Sequence, residues 1–116
     1  MRNREALPRR VYYQMNEVAD MLNITTSTVR YWEEFFNFPV HRNKANRRRL
    51  TESQMRNLLA INYLISIELY TLKGAAVKYE KWLKNEYTIP EEFLEIPDGF
   101  KLSVIDDELM FPYKET

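Results

Sequence analysis

The chain has 116 residues, no cysteine, a single histidine (His41), and seventeen basic against seventeen acidic side chains. That length suits one small domain with little room for an extended catalytic cleft. The lack of cysteine excludes disulfides and thiolate metal sites, and no apolar run approaches the roughly 18–20 residues needed to span a bilayer. The net charge of zero hides an asymmetry. Residues 1–50 carry ten basic and five acidic side chains, whereas residues 83–116 carry three and nine. A basic front fits a polyanion, and the rear is an acidic extension. The basic stretch Met1 to Arg10 runs into Val11-Tyr12-Tyr13-Gln14 and not into an apolar signal core, so the expectation is a cytoplasmic protein.

The first predicted helix covers residues 16–22. Val18, Met21 and Leu22 recur at i, i+3 and i+4, with Asn16 as the expected N-cap. Asn23 stands where the chain must turn left-handed, a conformation that asparagine tolerates better than most residues. A second helix follows after Ile24, with Thr25 as N-cap and residues 26–36 helical, Val29, Trp32 and Phe36 sharing one face. Two short helices separated by about three residues have the helix-turn-helix spacing. Phe38-Pro39-Val40 is extended because Pro39 biases its predecessor away from helix. Residues 42–49 are polar and basic and read as a short hairpin, with Arg48-Arg49-Leu50 as the return strand.

Thr51-Glu52-Ser53-Gln54 is a capping box that opens a helix predicted to reach about Leu69. Tyr70-Thr71 breaks it, and Thr71 caps a fourth helix on which Leu72, Ala75, Ala76, Tyr79, Trp82 and Leu83 keep helical spacing. Beyond it, residues 88–99 hold two prolines, a glycine and four acids. Phe100, Leu102 and Val104 then alternate with polar residues, a weak strand signal. The organisation expected is a basic arm (1–11), a helical domain (12–85) and an acidic extension (86–116) that is either a solvated, partly disordered tail or a β-hairpin whose apolar residues pack on the domain or a partner.

Tyr13-Gln14-Met15-Asn16-Glu17-Val18-Ala19-Asp20-Met21-Leu22 followed by Thr25-Thr26-Ser27-Thr28-Val29-Arg30-Tyr31-Trp32-Glu33 resembles the MerR family of bacterial transcription regulators. Arg47-Arg48-Arg49-Leu50-Thr51-Glu52 looks like that family's wing and third helix, and Leu69-Tyr70-Thr71-Leu72-Lys73-Gly74-Ala75 like its second wing and fourth helix. The resemblance covers residues 12–84. It implies a mainly α fold, a winged helix-turn-helix of about four helices with a small β wing, followed here by a short acidic tail. Three departures stand out. Asn23 replaces a turn glycine, Leu50 stands where an aromatic is common, and Pro90 arrives where family members continue into a long dimerisation helix.

In such a fold the second helix enters the major groove with its N-terminal residues nearest the bases. Thr26, Ser27 and Arg30 then face outward: hydroxyls suit phosphates or base edges, and arginine can bind guanine bidentately. The resemblance implies backbone contacts for Arg30 and Tyr31. Arg42, Lys44, Arg47, Arg48 and Arg49 form the densest basic stretch and, on a hairpin, could reach phosphates. Strand alternation sends Arg48 to the opposite side from Arg47 and Arg49. Each residue also has a plainer reading. Thr26 and Ser27 serve helix-start chemistry, Arg30 pairs on the surface with Glu33 or Glu34, and the basic run is a solvated face. Arg9 and Arg10 are a basic arm or a solubilising terminus. Trp32, Phe35, Phe36, Tyr63, Tyr79 and Trp82 belong to a core or interface.

No nucleophile–base constellation or glycine-rich phosphate loop is present, so neither enzymatic activity nor a cofactor is expected. The expected partner is double-stranded DNA, bound sequence-specifically by a transcription regulator and in two copies (a homodimer) where the site is palindromic. No membrane partner and no separate effector domain are expected. Two rival readings remain open. One is an excisionase-like or phage packaging-adaptor DNA-binding protein. The other is a protein-interaction module whose working surface is the acidic tail.

Overall fold

The computed structural model describes residues 12–43 and 45–97. In chain order come β1 (Tyr12–Gln14), α1 (Met15–Leu22), α2 (Thr26–Phe35), β2 (His41–Arg42), β3 (Arg48–Thr51), α3 (Glu52–Asn62), a π-helical turn (Tyr63–Ile67), α4 (Leu72–Leu83) and a 3₁₀ turn (Glu91–Leu94). This is a winged helix-turn-helix with four helices and a three-stranded antiparallel sheet, as the sequence predicts. Arg9, Arg10, Lys44 and the hairpin expected around Leu102 and Val104 lie outside the described residues.

Three helix starts follow the sequence chemistry. The Thr25 hydroxyl accepts the Thr28 N–H at 3.1 Å, and the Thr71 hydroxyl accepts the Gly74 N–H at 3.1 Å. At α3 the capping box closes in both directions: the Thr51 N–H donates to Gln54 Oε1 at 3.0 Å and the Gln54 N–H to the Thr51 hydroxyl at 3.1 Å. Helix α1 begins earlier than predicted. Gln14 is the N-cap, and its N–H reaches Glu17 Oε1 at 3.3 Å, while Asn16 accepts the Glu17 N–H at 3.0 Å from inside the first turn. Asn23 adopts the left-handed turn, with φ 59°, and Asn37, Asn46 and Asn85 end or turn the chain in the same way.

The helix predicted to run to Leu69 stops at Asn62 and continues as the π turn. There the Glu68 N–H reaches back to the Tyr63 carbonyl at 2.9 Å, and the Tyr70 N–H to Leu64 at 2.9 Å. Leu69 closes this turn at φ 64°, a left-handed leucine that a β-propensity or helix-propensity argument would not place there.

Strand β1 is the element that local patterning misses. Three residues cannot announce a strand; they become one because Tyr12, Tyr13 and Gln14 pair with Thr51, Leu50 and Arg49. That makes β3 the centre of the sheet, with β2 on its other edge through His41–Arg49 and Arg42–Arg48. Tyr13 and Leu50 face the interior side by side and are fully buried with Val18, Val29, Leu58, Ile61 and Leu64. Leu50 therefore fills a core position. Behind α3, the segment after α4 folds back: Ile89 and Leu94 are buried, Tyr63 and Phe93 stack at 4.7 Å, and Arg56 meets Glu91 at 2.9 Å. The ion pair is exposed on both sides and contributes little beside the apolar burial.

Leu50→Ala leaves a cavity at the junction of sheet and helices and is expected to cost about 2–5 kcal/mol. Val77→Ala, on the exposed side of α4, should stay within about 0.5 kcal/mol of the parent protein. Urea denaturation of both variants measures the contrast, and equal midpoints would show that Leu50 does not anchor the sheet.

Candidate nucleic-acid interface

Helix α2 presents a polar face at its N-terminal half. Val29, Trp32 and Glu33 point inward, while Ser27, Arg30 and Tyr31 are exposed and Thr26 is half-buried. The helix start carries uncompensated N–H groups and the positive end of the helix dipole, both favourable to a phosphate. The turn that aims this end is held by the Asn23 N–H on Asp20 at 3.1 Å and the Ile24 N–H on Ala19 at 2.9 Å. Arg30 makes no ion pair or hydrogen bond with a described residue, so the surface pair with Glu33 or Glu34 weighed from the sequence does not form among them.

The wing is built around Asn43, which is almost fully buried. Its N–H donates to the Arg47 carbonyl at 3.0 Å, its side-chain oxygen accepts the Arg47 N–H at 2.9 Å, and its carbonyl accepts the Asn46 N–H at 2.8 Å. Asn46 turns left-handed at φ 67°, and its carbonyl is held by the Arg42 guanidinium at 3.0 Å. These two asparagines shape the tip, and only their turn preference could have singled them out beforehand. Arg47 stands exposed beside them.

Alternation along β3 separates the next two arginines. Arg49 shares a face with His41 and Gln14 and donates to the Arg48 carbonyl at 3.0 Å. Arg48 lies on the face of Leu50, toward α2, directly opposite Arg42. There its guanidinium donates to Glu33 Oε1 at 2.6 Å, and the Glu33 side chain is only 3% exposed. The structure thus brings Arg30, Arg42 and Arg48 around one buried carboxylate, and it directs Arg47 and Arg49 elsewhere. A cleft of about 450 Å³ opens beside them between α2 and the wing, lined by Arg30, Glu33, Glu34, Phe38 and Arg48 among others.

Glu33 was legible only in part. Val29, Trp32, Glu33 and Phe36 follow the i, i+3, i+4, i+7 pattern of an inward face, yet its charge argued for the surface. Its backbone joins the same junction, since the Glu33 carbonyl accepts the Phe38 N–H at 2.8 Å. The loop that follows is fixed from α3, where Gln54 Nε2 donates to the Pro39 carbonyl at 2.7 Å. The aromatics form a path rather than a uniform core. Tyr31 and Phe35 are partly exposed, Phe35 meets Phe36 at 5.2 Å, and Phe36 meets Tyr79 of α4 at 5.2 Å.

Burial pushes the Glu33 carboxyl above its usual range, opposed by the Arg48 charge and hydrogen bond and by the fields of Arg30 and Arg42. A carboxylate whose folded value is raised binds protons more readily folded than unfolded. It therefore weakens the fold as pH rises from about 4.3 through the folded value. The wild-type protein should accordingly lose stability relative to Glu33→Gln between pH 4 and 7. Denaturant titrations across that range test it, and the opposite trend would mean that the arginines outweigh the burial.

Comparison with known proteins agrees with this architecture. Residues 13–80 match the family model described as MerR HTH family regulatory protein. The chain is 33% identical over 79 residues to the regulator protein TubY of a Clostridium botulinum C phage, a match covering 67% of this chain and 33% of that protein. The chain thus aligns with about a third of that relative's length. No solved structure matches significantly. The family match covers the helix-turn-helix, the wing and most of α4, and the chain belongs to the MerR helix-turn-helix family of regulatory proteins.

Proposed function

We propose that the chain binds double-stranded DNA sequence-specifically and regulates transcription in the cytoplasm, with α2 in the major groove and the wing on the adjacent backbone. The observation that carries this reading is the pairing of an exposed polar face at the start of α2, Ser27, Arg30 and Tyr31, with an exposed arginine on the wing tip, Arg47. Family membership supplies the context, and the relative named as a regulator favours regulation over packaging or recombination roles. Thr26 and Ser27 sit where hydroxyls reach phosphates or base edges, and the helix start itself favours a phosphate. No enzymatic step enters this reading, since the residues described act by charge and shape.

Selection from a random duplex pool at several salt concentrations tests it. Enrichment of a motif with a falling affinity as salt rises supports the reading, and a symmetric motif would add a homodimer. Retention without enrichment would favour an architectural or adaptor protein. No retention at low salt would leave a protein partner of the acidic tail as the better reading.

Within that assay two substitutions separate contact types. Arg30→Ala should lower the slope of log affinity against log salt by about 0.9, the signature of one lost phosphate contact. Tyr31→Phe removes a hydroxyl without charge; it should leave that slope alone and weaken binding by about fivefold, one neutral hydrogen bond. An unchanged slope for Arg30→Ala, coupled with loss of preference at one base position, would reassign Arg30 to base reading.

A further inference from the structure

The wing hairpin has an electrostatic fault. Arg42 on β2 stands directly across from Arg48 on β3, so two guanidinium groups share one face of a two-residue-wide ladder. Like charges placed directly opposite destabilise a strand pair. The fault is relieved from outside the sheet. Glu33, fifteen residues before Arg48 and on a different element, receives the Arg48 guanidinium at 2.6 Å, and the field of Arg42 also favours its charged form. The same residue holds the α2–β2 loop through its carbonyl, which accepts the Phe38 N–H at 2.8 Å. One buried residue of the recognition helix is therefore joined both to the loop that leaves the helix and to the strand that returns from the wing.

We infer that Arg48 is a positioning residue for DNA binding and not a phosphate contact: through Glu33 it moors the wing to α2 and sets the spacing between the two DNA-facing elements. The inference rests on the DNA-binding reading above. Its physical content is a division of labour among neighbouring arginines. Arg47 faces solvent at the tip, where a phosphate can reach it, while the Arg48 side chain is 27% exposed and is already engaged by a carboxylate. A charge already neutralised by a buried partner releases few counterions when DNA arrives, so its loss should shift affinity and leave the salt slope in place. The loss should also blur base preference, because a wing that pivots no longer fixes the register of α2 in the groove.

Arg48→Ala alone strands a buried carboxylate and endangers the fold, so the test uses the full chain carrying Glu33→Gln together with Arg48→Met. Two readouts are taken. The first is amide hydrogen exchange of the free protein at Asn43, Arg47 and Arg49. Exchange at least tenfold faster than in the wild type is expected, with α3 amides unchanged; wild-type rates in the wing would overturn the mooring whatever the protein binds. The second is the salt dependence of binding to the selected duplex. The double variant should bind about tenfold more weakly with the wild-type slope and reduced discrimination between selected and scrambled sites. Arg47→Ala should lower the slope by about 0.9. A slope lowered equally in both variants would make Arg48 a phosphate contact and overturn the inference. Arg48→Lys, which keeps the charge near Glu33, should recover part of the lost discrimination. Faster wing exchange in a protein whose wild type binds no DNA would keep the mooring and refute the DNA reading instead.

Discussion

Four consecutive residues bear most of the structural demands on this molecule. β3, Arg48–Thr51, is the central strand of the sheet, the returning arm of the wing and the entry to α3 at once. A strand offers two faces and alternates between them. On one face Leu50 is buried next to Tyr13 and Arg48 reaches Glu33; on the other Arg49 lies across from Gln14 and His41. Thr51 then leaves the ladder as the N-cap of α3. A register slip of one residue would expose Leu50, bury the Arg49 side chain and displace the cap together. The wing is thus not an appendage; its register is fixed by the core, and its arginines inherit their directions from that register.

This explains which features could be read from the chain. Caps are local, so Thr25, Thr51 and Thr71 are visible as hydroxyls just before apolar periodicity, and each accepts the N–H expected of it. Left-handed turns are equally local: Asn23 occupies the one expected of it, and Asn37, Asn46 and Asn85 occupy others that were not singled out. The basic run and its alternation were also legible, and alternation correctly parts Arg48 from Arg49. What could not be read depends on partners far along the chain. β1 exists only through pairing with β3, the burial of Glu33 only through Arg48, and the bond from Gln54 to the Pro39 carbonyl only once the loop passes α3. The π turn and left-handed Leu69 belong to the same class: no propensity favours them, and tertiary packing of Tyr63 and Leu64 overrides local preference.

The same logic sorts the charges, whose sum of zero says little. Arg48 is engaged by Glu33, Arg56 by Glu91, and Arg42 by the Asn46 carbonyl. Among the described residues, Arg30 and Arg47 are the arginines of the helix-turn-helix and wing whose guanidinium groups carry neither hydrogen bond nor ion pair. Two phosphate contacts of this kind give a combined salt slope of about 1.8, so raising salt from 50 to 200 mM would weaken binding only about tenfold, whereas six to ten contacts give losses of about 10³–10⁵. In the DNA-binding reading proposed above, further affinity would come from the α2 N-terminus, from the charges that Arg42 and Arg49 keep while bonded to neutral carbonyls, or from a second copy across a symmetric site. In that reading specificity depends on how rigidly α2 and the wing are held apart, and Glu33, bonded to Arg48 of β3 and through its carbonyl to the Phe38 N–H, is the residue that links the two.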